Sequence, residues 1–394
     1  MTSSNASRMQ HHDDLLQYAD TADVLARLQP AEPLYLFCRQ ALAERAQQFL
    51  TQFCGKVSYA VKANPEPRVL RTLLSAGITH FDVASISEIA SVHALAPGAR
   101  LHFNNPVKAR AAVKEAYQRY GVRSYALDEQ SELEKILQAT DSDPEVMYSV
   151  RFKLAHQNAS YDFGSKFGCH PREAVALLRA INRAGARAAL TFHPGSQCTD
   201  PAAYSRYLKV AADIMAEAQV PIAQINVGGG FPEYYRNTAA PSLVDYFDHL
   251  RQARDHSFSE PVPLMCEPGR AMVAPSTSLL VSVVHVRQDQ QTVFINDGLY
   301  GGMQEQSLVD LQLPARVWRQ GMPYTGNPQH YRIFGPTCDP VDRLPRDIAL
   351  PGALVEGDII EFGLLGAYGS ATATAFNGFG SGTYCNVQRG YCGQ

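Results

Sequence analysis

Between residues 31 and 270 short apolar runs alternate with longer stretches of helical spacing, and that rhythm leaves few folds open. The runs are Ser58 to Val61, Phe81 to Ala84, Leu101 to Phe103, Ser124 to Leu127, Met147 to Phe152, Leu190 to Phe192, Ile222 to Val227 and Leu264 to Cys266. Parallel strands need a crossover of a dozen or more residues between them, and a helix supplies it. Eight strands are what a barrel needs to close. The connecting stretches carry helix signals of their own. Ser85-Ile-Ser-Glu88 spells a capping box, Ile89, Val92 and Leu95 follow on one face, and Pro97-Gly98 ends the pattern. Glu173 to Ala184 and Tyr204 to Ala218 repeat the apolar spacing. The expected fold is α/β, a (β/α)8 TIM-type barrel.

After Gly269-Arg270 the texture changes. Thr277 to Val286, Thr292 to Ile295, Tyr331 to Phe334, Asp358 to Glu361 and Ala371 to Phe376 read as strands separated by Gly and Pro. The expected division is a leader, 1–30, able to pack with the β domain; a barrel, 31–270; and a second, mainly β C-terminal domain, 271–394.

Composition narrows the class of ligand. The 394 residues are 45% hydrophobic and 19% charged, with a formal net charge of -3 and no block of Lys and Arg. Such a chain is not built for nucleic acid or an anionic membrane, so a small molecule is the expected partner. The sequence has no apolar stretch of membrane-spanning length and no secretion-signal core at its start, which points to the cytoplasm. Its eight cysteines are scattered without metal-site or disulfide spacing. His11-His12-Asp13-Asp14 reads as a solvated tail, and no metal is expected.

In a barrel of this kind functional groups gather at the C-terminal ends of the strands. Here those ends carry Lys62, Asp82, Asn104 and Asn105, Asp128, Arg151, His193, Gly228 to Gly230, and Glu267. Each has a bland alternative: Lys62 can snorkel to solvent, Asp128 can cap a helix, Arg151 can serve a barrel salt bridge, and a glycine triplet is often just a turn. Taken together they suggest more. Lys62 at a buried strand end would be poorly solvated and suited to Schiff-base chemistry. Gly228, Gly229 and Gly230, with a helix N-terminus beyond them, would receive a phosphate, joined by the Ser196 hydroxyl. Glu267-Pro-Gly-Arg270 adds a strand-end carboxylate, exposed amides and a guanidinium. A lysine, a phosphate cradle and a carboxylate fit pyridoxal 5'-phosphate, whose ring nitrogen the carboxylate would keep protonated.

With these motifs in view, the chain resembles the fold-type III, alanine-racemase-like pyridoxal-phosphate decarboxylases of the ornithine/lysine decarboxylase group. The matching segments are Tyr59-Ala-Val-Lys-Ala-Asn64, Phe81-Asp-Val-Ala-Ser85, Lys166-Phe-Gly168, His193-Pro-Gly-Ser196, Gly228-Gly-Gly-Phe-Pro232, Glu267-Pro-Gly-Arg270, Gly335-Pro-Thr-Cys-Asp339, Gly366-Ala-Tyr368 and Phe376-Asn-Gly-Phe379. The resemblance implies that Lys62 carries the cofactor, that His193 stacks on its ring and that Asp82 and Arg151 line the pocket, with Glu88 close by. Ser196, Gly228 to Gly230, Gly269, Arg270 and Tyr368 would hold the phosphate. It also implies a homodimer with shared active sites. Cys338 would return a proton to the substrate carbon, Asp339 would bind the distal ammonium, and Lys166 would pair with Asp342 across the interface.

The chain departs from that pattern at the substrate's far end. Relatives acting on ornithine or lysine place another acid in the segment that here runs from Asp297 to Asp310, and its nominal position reads Leu308 or Val309. Glu305 and Asp310 are the candidates nearby. His193 is followed by Pro194 where relatives commonly have a β-branched residue. The expected activity is decarboxylation of a basic L-amino acid, L-ornithine to putrescine or L-lysine to cadaverine, in polyamine biosynthesis. Alternatives are a modified or conjugated diamino acid of the carboxylated-polyamine type, or a non-catalytic regulatory homologue. Asp339 disfavours diaminopimelate, whose far carboxylate it would repel, and Glu267 disfavours a racemase.

Overall fold

The computed structural model describes residues 17–154, 166–380 and 382–393, so His11 to Asp14 lie outside the described residues. The chain divides into two compact units. Of the described residues, one comprises those in 46–234 and 239–272, the other those in 17–45, 235–238 and from 273 onward.

In the first unit eight parallel strands close a barrel. They are β1 (Lys56–Ala60), β2 (His80–Val83), β3 (Arg100–Phe103), β4 (Ser124–Leu127), β5 (Met147–Arg151), β6 (Arg187–Thr191), β7 (Ile222–Asn226) and β8 (Leu264–Cys266). Seven helices connect them in order: α1 (Pro67–Ser75), α2 (Ile86–Leu95), α3 (Arg110–Tyr120), α4 (Gln130–Ala139), α5 (Pro171–Arg183), α6 (Ala202–Ala218) and α7 (Leu243–Ser257). Strands covered on both faces must be apolar on both, which is why they read as unbroken runs. The helix starts are fixed locally. Ser85 Oγ accepts from the Glu88 amide at 3.2 Å, while the Glu88 carboxylate reaches back to the Ala84 amide at 2.7 Å, one residue upstream of the expected box. Ser242 and Asp245 cap α7 in the same reciprocal way.

A chain of polar side chains crosses β2, β3 and β4. His80 Nδ1 lies 2.9 Å from His102 Nε2, and His102 Nδ1 lies 3.0 Å from Ser124 Oγ. Burial, followed by the nearby charges of Lys56 and Arg100, pulls His80 down to about 4. Burial and then His80 itself pull His102 down to about 3. Both rings are therefore neutral in the folded protein at pH 6, where the unfolded chain already takes up protons. The sign follows: this part of the stability is complete above pH 6.5 and is lost as pH falls toward 4, at about 1.4 kcal/mol per pH unit for each extra proton bound by the unfolded chain. Thermal melts between pH 7 and 4 should show that slope, and a His102→Gln protein should show a shallower one. Equal slopes in the two proteins would rule out this origin.

In the second unit Leu34–Cys38 lies between Tyr384–Val387, parallel to it, and Thr277–Val286, antiparallel. Thr277–Val286 continues to Thr292–Ile295, Pro328–Phe334 and Ile348–Pro351, and it also pairs with Ile359–Phe362. Gln17–Tyr18 closes the far edge against Tyr384–Val387. This differs from the expected 31–270 barrel segment in two places. Leu34–Cys38 is buried along its whole length in the β sheet, and Tyr235–Thr238 also belongs to this unit. An apolar strand has no mark of its own that says which sheet it joins. The strand expected at Ala371 to Phe376 does not form. Hydroxyls there bond backbone carbonyls instead, Thr372 Oγ1 to Tyr368 four residues back at 2.6 Å and Thr374 Oγ1 to the sequence-distant Tyr300 at 2.9 Å, and a short helical turn follows at Phe376–Gly378. Among the described residues no helix is long and apolar enough to cross a membrane.

Candidate active site

A cavity of about 210 Å³ at the C-terminal ends of the barrel strands is lined by Lys62, Asp82, Asn104, Asn105, Arg151, His193 and Glu267 among others. These residues lie far apart in sequence, and only closure of the barrel brings them together. Asp128, also expected there, does not line the cavity. Its carboxylate accepts the Gly168 amide at 2.7 Å and so anchors that loop.

Lys62 needs a correction. It is not the end of a buried strand, because β1 stops at Ala60 and Val61–Ala63 forms a tight helical turn. Its side chain is 47% exposed, with Nζ 3.6 Å from the Asp82 carboxylate. The amine is therefore held by a charge and remains partly solvated. The turn itself is firm: Tyr59 donates its hydroxyl to the Asn64 carbonyl at 2.9 Å, and Asn64 Oδ1 accepts the Glu66 amide at 3.1 Å.

Asp82 and Glu267 are the buried acids of the cavity. Burial raises both above the ordinary carboxylate range. For Glu267 the proximity of Asp82 raises it further, while for Asp82 the positive charges of Lys62 and Arg151 work the other way. Two amides organise this pair. Asn104 bonds Glu267 and also Asp82, and Asn226 donates to the same Glu267 oxygen. The sequence reading missed Asn226, which is 1% exposed and also accepts the Gly228 amide at 2.9 Å. An amide in the last position of the strand before the glycines, within the otherwise largely apolar run Ile222 to Val227, was the available signal.

His193 Nδ1 accepts the Gly195 amide at 3.0 Å, which leaves the proton of the neutral ring on Nε2. Burial, then the positive charges of Arg151 and Lys62, hold its pKa well below the ordinary value, so the ring is uncharged. The Gly228 and Gly230 positions admit no side chain. Both have positive φ, and a Cβ would stand 2.3 Å from the Phe192 carbonyl oxygen at Gly228 and 2.2 Å from that of Gly195 at Gly230. The expected helix start beyond the glycines is absent. Residues 231–242 are irregular and α7 begins only at Leu243, so the amides of the turn have no helix dipole behind them. Arg270 approaches Ser196 instead, Nη2 to Oγ at 3.4 Å.

The remaining candidates lie in the second unit. Cys338 is exposed, with Sγ 3.4 Å from Asn377 Oδ1. Asp339 accepts the Tyr300 hydroxyl at 2.6 Å, and that bond, followed by the Val341 amide, holds its carboxyl below the ordinary value. Tyr368 has φ 55, a conformation uncommon for a residue with a side chain and often found at functional sites. Glu305 sits on a short helical turn, Gln304–Ser307. Asp310 is exposed and bound to Arg346 at 2.6 Å. Asp342, expected to pair with Lys166 of a partner, is 1% exposed in this chain and takes the Leu299 amide at 2.8 Å and the Thr337 hydroxyl at 2.8 Å.

Residues 39–274 match a family model described as pyridoxal-dependent decarboxylase, pyridoxal binding domain. Over 366 residues the chain is 32% identical to the lysine/ornithine decarboxylase of Selenomonas ruminantium, across 91% of this chain and 88% of that protein. Two solved structures are similar throughout. The Paramecium bursaria Chlorella virus arginine decarboxylase bound to agmatine gives a TM-score of 0.81 at 27% identity, over 92% of this chain and 97% of that one. The lysine/ornithine decarboxylase complexed with putrescine from Vibrio vulnificus gives 0.79 at 27% identity, over 93% and 96%.

Proposed function

The chain belongs to the pyridoxal-dependent decarboxylases, and from that premise we propose that it converts L-ornithine to putrescine or L-lysine to cadaverine as a homodimer with shared active sites. The observation that carries the proposal is the buried Glu267, held by two asparagine amides in the same cavity as the Lys62 amine.

The residues present fit pyridoxal 5'-phosphate. The closed-packed Gly228 to Gly230 turn presents backbone where side chains would stand in the way. Lys62 would hold the aldehyde carbon; Ser196, Gly228, Gly229, Gly230, Gly269, Arg270 and Tyr368 would hold the phosphate. Glu267, whose raised affinity for a proton suits it to share one, would face the ring nitrogen. The uncharged His193 ring would lie against the cofactor's face without repelling a protonated pyridine. When bound, the cofactor supplies an electron sink for the pair left behind by carbon dioxide. Asp82 and Arg151 balance the charges of the cavity, with Asp82 keeping the Lys62 amine directed inward.

At the substrate's far end Asp339 stays ionised at neutral pH because Tyr300 and Val341 bond its charged form, which suits an ammonium group. Cys338 would give its proton to the carbon that lost the carboxylate. The exposed Val341, Phe376 and Phe379 flank these two residues, as apolar side chains on a surface covered by another subunit do. A second reading, a substrate whose far end is acylated or carboxylated, is favoured by one observation: Asp310, a nearby candidate for a second acid, is already engaged by Arg346. A panel of L-ornithine, L-lysine, L-arginine and their N-acyl derivatives, given to protein loaded with pyridoxal 5'-phosphate, tests both. Diamine from ornithine or lysine is the expected result. Release only from the derivatives would establish the second reading, and no amine from any of them would overturn both.

A further inference from the structure

The seam between β3 and β4 is thin. These strands meet through the single pair Phe103 and Tyr125, whereas β5 and β6 pair along Met147–Arg151. Beyond Phe103 the chain runs Asn104-Asn-Pro-Val-Lys108, and Pro106 has no N–H to contribute. A side chain closes the gap. Lys108 Nζ donates to the carbonyls of Asn105 at 2.8 Å, Pro106 at 3.2 Å and, across the seam, Ala126 at 2.5 Å.

This lysine side chain is 0% exposed, an unusual place for an ammonium that no step of the reaction uses. Its countercharge is Glu132 in the first turn of α4, at 3.2 Å. Glu132 also accepts the Lys108 amide at 3.1 Å, Lys135 donates to the Lys108 carbonyl at 2.6 Å, and Lys135 pairs with Glu132 in turn. Both the backbone and the side chain of one residue are thus clamped to α4. Burial draws the Lys108 pKa down to about 8 in spite of Glu132; Lys135 and the more distant Asp128 are the other charges it feels.

The loop so held carries Asn104, whose amide stands between two buried carboxylates, bonding Glu267 and Asp82 together. Asn104, Asn105 and Pro106 all line the cavity. We propose that Lys108 is a positioning residue of the active site, whose ammonium holds the Asn104–Pro106 loop so that the Asn104 amide stays on Glu267. The inference rests on the reading of Glu267 as partner of the cofactor's ring nitrogen. Lys108 itself is fully buried and does not line the cavity. It acts through Asn104 on the Glu267 carboxylate, in a cavity where Asp82, Lys62 and Arg151 are the other charges.

The test compares Lys108→Met, Asn104→Ala and the double variant by cofactor affinity and by the pH titration of the bound cofactor's absorbance, with circular dichroism to verify folding. Lys108→Met keeps the length and removes the donor. We expect it to weaken pyridoxal 5'-phosphate binding roughly tenfold and to displace the titration, with kcat lowered more than KM changes. Asn104→Ala should shift both in the same direction, and the double variant should add little to either single one. A Lys108→Met protein that is less heat-stable but titrates as the parent does, or a double variant whose effects sum, would overturn the proposal. If Lys108→Met fails to fold, Glu132→Gln is read by the same criteria. A Glu267→Gln protein with an unaltered titration would instead sink the reading of Glu267, whatever Lys108 does.

Discussion

A Lys62→Ala protein is expected to lose amine release by roughly 10³-fold or more while keeping its fold. The turn that carries Lys62 is held by backbone and by Tyr59 and Asn64, none of which needs the lysine side chain. That side chain is nearly half exposed, so its removal leaves no large cavity; it forms an ion pair with Asp82. Stability should therefore change little, because the cost of leaving Asp82 unpaired is limited by protonation of an acid whose pKa burial already raises. Reduction with borohydride in the presence of pyridoxal 5'-phosphate should label the parent at Lys62 and leave the variant unlabelled. The same variant tests the shared site. Mixed with an inactive Cys338→Ala protein, it should regain about a quarter of parental activity through hybrid dimers that hold one intact site each. Labelling of another lysine, or no recovery on mixing, would contradict the cofactor attachment and the shared site respectively.

The second large effect concerns folding. Glu361 is 0% exposed in the β unit, and its carboxylate gathers four donors: Thr21 Oγ1 at 3.0 Å, Ser278 Oγ at 2.8 Å, Arg316 Nε at 2.8 Å and Trp318 Nε1 at 3.0 Å. Thr21 begins the N-terminal helix Thr21–Leu28, so one carboxylate ties that helix to Thr277–Val286 and Ala315–Arg319. Glu361→Ala leaves a buried indole N–H and two buried hydroxyls without their acceptor, while the Arg316 guanidinium, 38% exposed, can turn to water. The expected loss is about 2–4 kcal/mol, the cost of leaving several buried donors unsatisfied. Glu361→Gln should cost less, since its amide oxygen still serves part of the set. Urea melts of the three proteins give the order directly, and an alanine variant within 1 kcal/mol of the parent would mean that water replaces the carboxylate.

Much of the barrel was legible because its physics is local or periodic. Strands buried on both faces declare themselves as apolar runs, Ser85 and Glu88 announce a helix start, and Gly228 to Gly230 announce backbone packed too closely for side chains. The β unit was less so. Met322–Tyr324 is short and contains Pro323, Leu34–Cys38 looks like any buried strand, and the Ala371 to Phe376 run lost its ladder to hydroxyls that bond backbone carbonyls. Within the site, Asn226 stayed hidden because an amide inside an apolar run gains meaning only from what it faces.

The amino-acid sequence by itself determined the fold class, the family and the residue types available for chemistry, since periodicity, capping and turn preferences act over a few residues. Only the tertiary structure decided that Lys62 is partly solvated beside Asp82, that two asparagines share Glu267, that Asp342 takes the Leu299 amide and that Lys108 closes a seam. Those are contacts between residues distant in the chain. Their strength depends on burial and on the sign of neighbouring charges, and neither exists until the barrel has closed.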